Sequence, residues 1–275
     1  MPVTQRPPIT ADERLARQIR VEIESGRLPH GTLLPPTKAL ASEYNASAST
    51  VSRAIGLLVD EGLVLSSARS GRVVNYPNAD GDEDDAKTVV LFIGGVAGSG
   101  KTELGRIIAR RKHWAMLDKD STTRPVVEVA LTTIGLSAND RDSETYRTVI
   151  RPAEYDALMM GLEENLECGT SCIVTAPFVT EFGDPAWCER TRSLVASHGG
   201  TAHFVWVSCD VDTMLSYIRK RGAARDAKKL ADWPAWVASL DLNFRPATEH
   251  FVIDNSAGAP PLQRQADTLL TKVTR

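Results

Sequence analysis

The apolar positions change their spacing along the chain. In "ERLARQIRVEIESG" Leu15, Ile19 and Ile23 recur at i, i+4 and i+8 with Ala16 beside them, which predicts an amphipathic helix stopped by Gly26. After the turn-rich "RLPHGTLLPP", Thr37 is expected to cap a second helix, "KALASEY"; "NASAST" then turns into a third, "VSRAIGLLVDEG", ended by Gly62. "LVLSS" and "RVVNY" alternate weakly around "ARSG", as a two-stranded hairpin with Gly71 at its bend would. From Thr88 the alternation vanishes: "TVVLFIGG" is a continuous apolar run, the pattern of a strand buried on both faces of a parallel sheet. Four further runs follow: "WAML" before Asp118, "SCIVTA" before Pro177, "HFVWVS" before Cys209 and "HFVID" before Asn255. With helical segments between them, they predict an α/β domain with a five-stranded parallel sheet wound on both faces. Ligands of such sheets gather at the strands' carboxyl ends, which places Asp118, Asp120, Pro177, Phe178 and Asn255 beside a site.

Between these two patterns, "YPNADGDEDDAK" carries Pro77, Gly81 and five acids and no apolar period. It reads as a solvated linker, giving an N-terminal unit over residues 1–76, a linker over 77–87 and an α/β unit over 88–275. The length of 275 residues agrees with two compact units. With 42% hydrophobic and 24% charged residues the composition is that of a globular protein, and no apolar run reaches the roughly 20 residues of a membrane span. The start, "MPVTQRPPITADERLARQ", has no apolar stretch behind a basic one, so the cytoplasm is the expected compartment. A net charge of −3 gives no global pull toward nucleic acid. Cys168, Cys172, Cys188 and Cys209 lack close metal-type pairing and are expected to be reduced, mostly core thiols. Met159 and Met160 are expected in the core.

The chemistry concentrates in "GGVAGSGKTEL". Gly95-x-x-x-x-Gly100-Lys101-Thr102 is a complete Walker A pattern, with a strand before it and a helix after. Its glycines let successive backbone N–H groups turn toward phosphates at a helix N-terminus. Gly95, Val96, Ala97, Gly98, Ser99, Gly100, Lys101, Thr102 and Glu103 are the expected nucleotide contacts; Lys101 would reach the β and γ phosphates of ATP, and the Thr102 hydroxyl would ligate Mg2+. The strand "SCIVTAPF" lacks the terminal Asp of a standard Walker B, and no guanine-reading NKxD occurs.

The residues of the N-terminal unit carry a resemblance. "GRLPHGTLLPPTKALASEYNASASTVSRAIGLLVDEGLVLSSARSGRVV" couples G-x-L-x-x-G-x-x-L-P, S-x-x-T-V-x-x-A and L-x-x-E-G-L to a glycine-tipped wing, and so resembles the GntR-type winged helix-turn-helix. Lys38 stands where an arginine is common in that family. The resemblance implies a double-stranded DNA operator as partner, read by homodimers. A recognition helix enters the major groove by its N-terminal end with small polar residues that permit close approach. Ser47, Ser49, Thr50, Ser52 and Arg53 suit that place, with Ser49 or Thr50 as the helix cap. Lys38, Arg69 and Arg72, with Gly71 at the wing, would neutralise phosphates.

An acid at the end of the second strand, here "LDKDS", makes the second unit similar to P-loop small-molecule kinases, including shikimate- and gluconate-kinase-like enzymes and zeta-toxin-like kinases. The resemblance implies that the acid orients or deprotonates an acceptor hydroxyl, or holds Mg2+ through water. Asp118 stands first for that role and Asp120 second, and one of the two is expected to cap the following helix. In "YIRKRGAARDAKKL", Arg219, Arg221 and Arg225 follow strand and helix in the order of an arginine-rich lid, with Gly222 as hinge and Asp226 as partner to one arginine. Without the phosphate loop they would read as a helix's wet face. Arg221 and Arg225 are the preferred catalytic pair, and Arg219 and Asn255 join the nucleotide contacts. Arg124, Arg147, Arg151, Glu154 and Tyr155 are candidates for an acceptor pocket whose small-molecule occupant the sequence does not name.

Two functions fit. One is a DNA-binding transcription regulator whose P-loop unit binds ATP and Mg2+ and senses or phosphorylates a small molecule. The other is first of all an ATP-dependent kinase with an autoregulatory or tethering head.

Overall fold

The computed structural model describes residues 10–67, 71–76 and 87–274, and the chain divides into two compact units, Met1–Asp85 and Ala86–Arg275. The linker over 77–87 lies, apart from Lys87, outside the described residues.

The first unit is three helices and a hairpin: α1 (Ala11–Glu24), α2 (Thr37–Glu43), α3 (Ala48–Asp60), β1 (Val64–Ser67) and β2 (Gly71–Val74). Thr10 and Glu13 close a capping box on α1, each accepting the other's backbone N–H. The helical period of Leu15, Ile19 and Ile23 is used as expected: these pack with Val51, Ala54, Ile55 and Leu58 of α3 around Leu34, Leu40, Val64 and Val74. Two boundaries differ from the sequence reading. The N-cap of α2 is Pro36, which offers no side-chain acceptor; Thr37 is the first helical residue and its hydroxyl accepts from Arg72 instead. Helix α3 begins three residues earlier than its apolar period suggests, because Ser47, outside that period, accepts the Thr50 N–H at 3.1 Å and is the cap in place of Ser49 or Thr50. An isolated bridge from Leu33 to Val73 adds to the antiparallel wing.

The second unit winds helices about a sheet. In chain order it runs β3 (Val89–Gly94), α4 (Lys101–Lys112), β4 (Ala115–Asp118), α5 (Lys119–Thr133), a π-helical turn (Tyr146–Ile150), α6 (Arg151–Glu167), β5 (Cys172–Thr175), α7 (Val179–Phe182), α8 (Pro185–Ser197), β6 (Thr201–Ser208), α9 (Val211–Arg221), a 3-10 turn (Ala224–Asp226), α10 (Ala227–Ala231), α11 (Trp233–Ala238), β7 (Phe251–Asp254) and α12 (Leu262–Val273). The five strands are parallel in the order β4-β5-β3-β6-β7. Strand β3 sits at the centre, wholly buried. Val90 and Phe92 pack on one face with Leu158, Leu162, Phe178 and Phe204, while Val89, Leu91 and Ile93 pack on the other with Leu104, Ile108 and Leu269. Helices cover both faces, so no polar alternation is left in the strand. Met159 packs against the first of these cores, but Met160, two thirds exposed, does not belong to it: the two neighbours on α6 point to different sides of the helix. Cys172 and Cys188 are buried, Cys209 is half-buried and Cys168 is exposed, so only part of the expected core thiols are core.

Candidate functional site

The phosphate loop joins the carboxyl end of β3 to the first turn of α4. Gly98 has φ +84° and Gly100 φ +94°, a region open to glycine and costly for other residues. Space is as restrictive as torsion: a Cβ at Gly98 would come within 2.9 Å of Met214 and Ile218, and one at Gly100 within 2.2 Å of Asn255 Nδ2. The loop is braced from the ends of two other strands. Gly95 N donates to the Pro177 carbonyl at 3.2 Å after β5, and Asn255 Nδ2, beyond β7, donates to the Ser99 carbonyl at 3.0 Å. Ser99 is fully buried, and its hydroxyl has no hydrogen-bond partner within the protein. A rigid backbone cradle at a helix N-terminus, with glycines that no larger residue can replace and a spare buried donor, fits a bound polyphosphate.

Asp118 ends β4 opposite Thr175 of β5 in the strand register. Its carboxylate collects three donors: the Ser121 N–H at 2.9 Å on Oδ1, and on Oδ2 the hydroxyls of Thr102 at 3.1 Å and Thr175 at 2.7 Å. It thus caps α5 and also grips the loop threonine. Where a standard Walker B would place its acid on β5, this chain has Thr175, and the carboxylate comes from the adjacent strand. Asp120, on the first turn of α5, keeps 38% of its side chain exposed and sits 3.3 Å from the Lys119 ammonium.

On the acceptor side the predicted residues do not converge on one point. Arg151 and Tyr155 pair up: the guanidinium lies over the Tyr155 ring at 4.4 Å and bridges to Glu181 at 2.8 Å, and the Tyr155 hydroxyl accepts the Phe178 N–H at 3.4 Å. Burial, followed by the charge of Glu181, raises the Tyr155 phenol far above its ordinary range, so it stays protonated. Phe178 itself has φ +52°, strain that a bulky residue tolerates only where its surroundings fix it. Glu154 is buried and bonded to Lys119, Thr123 and Tyr146. Arg147 is exposed, and Arg124 is exposed beside Glu128 at 3.9 Å.

In the segment expected to serve as a lid, Arg221 ends α9 and Gly222 closes it in the left-handed conformation, φ +58°. Arg221 donates twice to Asp226 Oδ2, at 2.9 and 2.6 Å, and Lys229 donates to Oδ1 at 2.8 Å. Asp226 is fully buried; that burial opposes ionisation, but the hydrogen bonds and charges of Lys229 and Arg221 outweigh it and hold the carboxyl below its ordinary value. Arg219 is exposed, and the side chain of Arg225, on the 3-10 turn, is outside what is described. Lys228 of α10 pairs with Asp142 in the connection between α5 and α6.

In the first unit, the Ser47 hydroxyl lies 2.9 Å from that of Ser49 and 2.8 Å from that of Thr50, so these three share one hydrogen-bonded cluster at the start of α3. Ser52 and Arg53 are exposed on the next turn, with Arg53 Nε 3.5 Å from Asp12 of α1. Arg72 of the wing donates to Thr37 at 3.0 Å, Lys38 is exposed beside it in sequence, and Gly71 has φ +79° with Leu33 close by. Arg69 falls outside the described residues.

Sequence reasoning missed Lys119, Thr123, Tyr146, Thr175 and Glu181. Only Thr175 carried a signal, its place where the Walker B acid is absent; the rest are polar residues whose partners lie far along the chain. Among the described residues no group of three His, Cys, Asp or Glu is arranged to hold a metal by itself, and no helix is long and apolar enough to cross a membrane.

Residues 11–74 match the family of bacterial regulatory proteins, gntR family, and residues 90–242 match the AAA domain family. Among solved structures, the APS kinase CysC of Mycobacterium tuberculosis, in complex with AMPPNP and APS, aligns at 16% identity over 68% of this chain and 98% of its own, with a TM-score of 0.44. A gluconokinase from Sinorhizobium meliloti 1021 aligns at 15% identity over 70% and 95%, TM-score 0.42. The first unit aligns with the "possible transcriptional regulator YydK" of Bacillus subtilis subsp. subtilis str. 168 at 23% identity, over 29% of this chain and 33% of that one, TM-score 0.24. No curated protein matches significantly. The second family match spans more than half of the chain and contains the phosphate loop, the Asp118 junction and the Arg221–Asp226 pair. The chain therefore belongs to the AAA-domain family, and its residues 11–74 form a helix-turn-helix unit that matches the gntR family.

Proposed function

We propose that the chain is a DNA-binding transcriptional regulator whose P-loop unit binds ATP with Mg2+ and senses or phosphorylates a small-molecule alcohol. The observation that carries the reading is the junction of Thr102, Asp118 and Thr175, in a chain whose N-terminal unit is a winged helix. It supports a nucleotide site built for phosphoryl transfer to a small acceptor rather than for motor work, since the acid comes from β4 and not from β5. The assignments follow from position. Lys101 would neutralise the β and γ phosphates; Thr102, oriented by Asp118, would hold Mg2+, which would supply further neutralisation of phosphate charge. Asp118, first, and Asp120 on the next turn, second, are the acids assigned to orient the acceptor hydroxyl. Arg219, Arg221 and Arg225 supply the lid's positive charge, and Arg221 must exchange Asp226 for phosphate when the lid closes. Acceptor contacts come from Arg151 and Tyr155, with Arg124 and Arg147 at the rim.

In the head, Ser49, Thr50, Ser52 and Arg53 face the major groove with Ser47 as cap, while Lys38, Arg69, Gly71 and Arg72 contact phosphates. The reading includes a homodimer on a palindromic operator, in the cytoplasm, with units divided at the acidic linker over 77–87. Selection of binding sites from a random duplex library, read by gel shift with and without MgATP, tests it. The expected result is a palindromic preference whose affinity or spacing changes with nucleotide; absence of sequence preference in both states overturns it.

The exposed acid and lid arginines favour a second emphasis, a working kinase with a regulatory head, because a bare sensor needs neither. Labelled ATP incubated with metabolite pools tests this. Transfer to one acceptor, abolished in Lys101→Ala, is expected, and transfer that survives that substitution overturns the assignment.

A further inference from the structure

Strand β5 leads through Pro177 into a turn whose residue Phe178 has φ +52°. The Phe178 ring is fully buried, stacked on Phe182 at 4.9 Å and edge-on to Tyr155 at 5.7 Å, and its backbone N–H reaches the Tyr155 hydroxyl at 3.4 Å. A bulky residue keeps such a torsion only where its surroundings over-determine it, and strain of this kind collects at ligand sites. The turn starts α7 at once, and the Phe182 N–H closes that helix on the Phe178 carbonyl at 2.9 Å. Glu181 is thereby brought to Arg151 of α6, 2.8 Å away. The pair follows the carboxyl end of β5, one strand from Asp118 and joined to the phosphate loop through the Pro177 carbonyl.

Glu181 keeps 9% of its side chain exposed and Arg151 26%. One guanidinium nitrogen, Nη2, faces both carboxylate oxygens, at 2.8 and 2.9 Å, whereas a fork-to-fork clamp sets two nitrogens on two oxygens. The Tyr155 ring takes one face of the guanidinium at 4.4 Å. Among the described residues Nη1 and Nε of Arg151 have no hydrogen-bond partner, and the Tyr155 hydroxyl accepts the Phe178 N–H without donating in turn. Each Glu181 oxygen accepts from Nη2 alone and retains a lone pair. A partly buried ion pair adds little to stability, and this one leaves donors and acceptors side by side at the acceptor end of the sheet.

Charge decides what fits them. An acidic group on the acceptor would gain Arg151 and meet the Glu181 carboxylate on the same guanidinium at once. Hydroxyls carry no such penalty: one accepts from the open guanidinium edge while its neighbour donates to the carboxylate.

We propose that Arg151 and Glu181 form a specificity subsite for two adjacent hydroxyls, so that the acceptor is an uncharged polyol rather than an acid. This rests on the phosphoryl-transfer reading given above. A further hydroxyl of the polyol takes the γ-phosphoryl group and releases its proton to solvent, the bond to the β-phosphate oxygen breaks, and ADP leaves. Arg151 and Glu181 touch only the other two hydroxyls.

The test uses the full-length protein with MgATP and follows ADP release with ribitol and sorbitol, with the matched acids ribonate and gluconate, and with propane-1,3-diol, which has no adjacent hydroxyls. ATP-analogue binding by calorimetry is measured alongside. Release stimulated by a neutral polyol, with kcat/KM at least about tenfold above its matched acid and above the diol, is expected. Glu181→Gln keeps the side chain's shape and removes the charge that opposes an acid, so the preference for polyol over acid is expected to fall about tenfold, through KM more than kcat. If Glu181→Gln lowers the thermal midpoint, Arg151→Lys is read in its place. It keeps the charge without the fork, and its KM for the polyol is expected to rise about tenfold. A parent that prefers the acid or the diol overturns the proposal. So does a preference unchanged in a stably folded Glu181→Gln, or an unchanged KM in Arg151→Lys, since the pair would then be structural only. Analogue binding without release by any probe overturns the polyol class and leaves the nucleotide site standing; failure to bind the analogue overturns both.

Discussion

The Thr102 hydroxyl donates to Asp118 Oδ2 at 3.1 Å, tying the first turn of α4 to the end of β4. The same carboxylate caps α5 through the Ser121 N–H, so one side chain serves both helix and loop. Asp118→Ala is expected to lower the unfolding free energy, read from a urea titration, by about 1–2 kcal/mol, the usual cost of a lost cap. It should also remove most of the Mg2+ dependence of ATP-analogue binding. Asp118→Asn retains a cap acceptor and is expected to lose the Mg2+ response with a smaller change in midpoint; calorimetry with and without Mg2+ separates the two effects.

Gly100→Ala combines a left-handed φ with a Cβ placed 2.2 Å from Asn255 Nδ2. The loop must shift or Asn255 must release the Ser99 carbonyl. Strain of about 1–3 kcal/mol at such a site is expected, together with loss of nucleotide binding. Asn255→Ala relieves the contact but not the torsion, so the double variant should regain part of the thermal midpoint and none of the affinity.

The Asp226 carboxyl titrates below its ordinary value near 3.8 because Lys229 and Arg221 outweigh the opposing effect of burial. A depressed carboxyl contributes stability that is present above the ordinary value and is lost as pH falls through the lowered folded value. The lid should therefore resist protease down to the ordinary carboxylate range and open below it. In Asp226→Asn that acid step is expected to vanish, and the lid should be cleaved more readily at neutral pH, where the parent's cluster is intact.

Arg53 rests 3.5 Å from Asp12, with its own side chain 60% exposed. An exposed pair of this kind is worth about 0–1 kcal/mol, so DNA can displace it. Arg53→Ala is expected to weaken operator binding at least tenfold, about 1.4 kcal/mol, and Asp12→Ala to strengthen it modestly. Arg72→Ala should reduce the slope of log affinity against log salt by about 1, as loss of one phosphate contact does. Gel shifts over a salt series distinguish base contact from phosphate contact.

Burial pushes the thiols of Cys172 and Cys209 up to about 12, for Cys209 with help from Asp210 and Asp254. Since the thiolate is the reactive form, a disulfide reagent at mildly alkaline pH should label exposed Cys168 first and leave these two slow. Cys168→Ser is expected to remove the fast phase and nothing else; a surviving fast phase would mean that Cys209 opens readily to solvent.

The head's helices, the central strand and the glycine loop were legible in the sequence because each depends on local rules. Leu15, Ile19 and Ile23 mark a helical face by their period, the unbroken apolar run at β3 marks a strand with two covered faces, and Gly95 through Thr102 states its chemistry by residue type and spacing alone. Caps were less legible, since hydroxyl side chains at Ser47, Ser49 and Thr50 are interchangeable locally and only the backbone's exit angle chose Ser47. What the tertiary structure decided is the partnership of polar groups: that Asp118 faces Thr175 on the adjacent strand, that Lys229 joins Arg221 on Asp226, that Arg151 meets Glu181, and that Lys119 is buried against Glu154. Such pairs join residues up to dozens of positions apart and obey no period. They depend on strand order and helix packing, and these come from the apolar core as a whole rather than from the neighbours of any one charge.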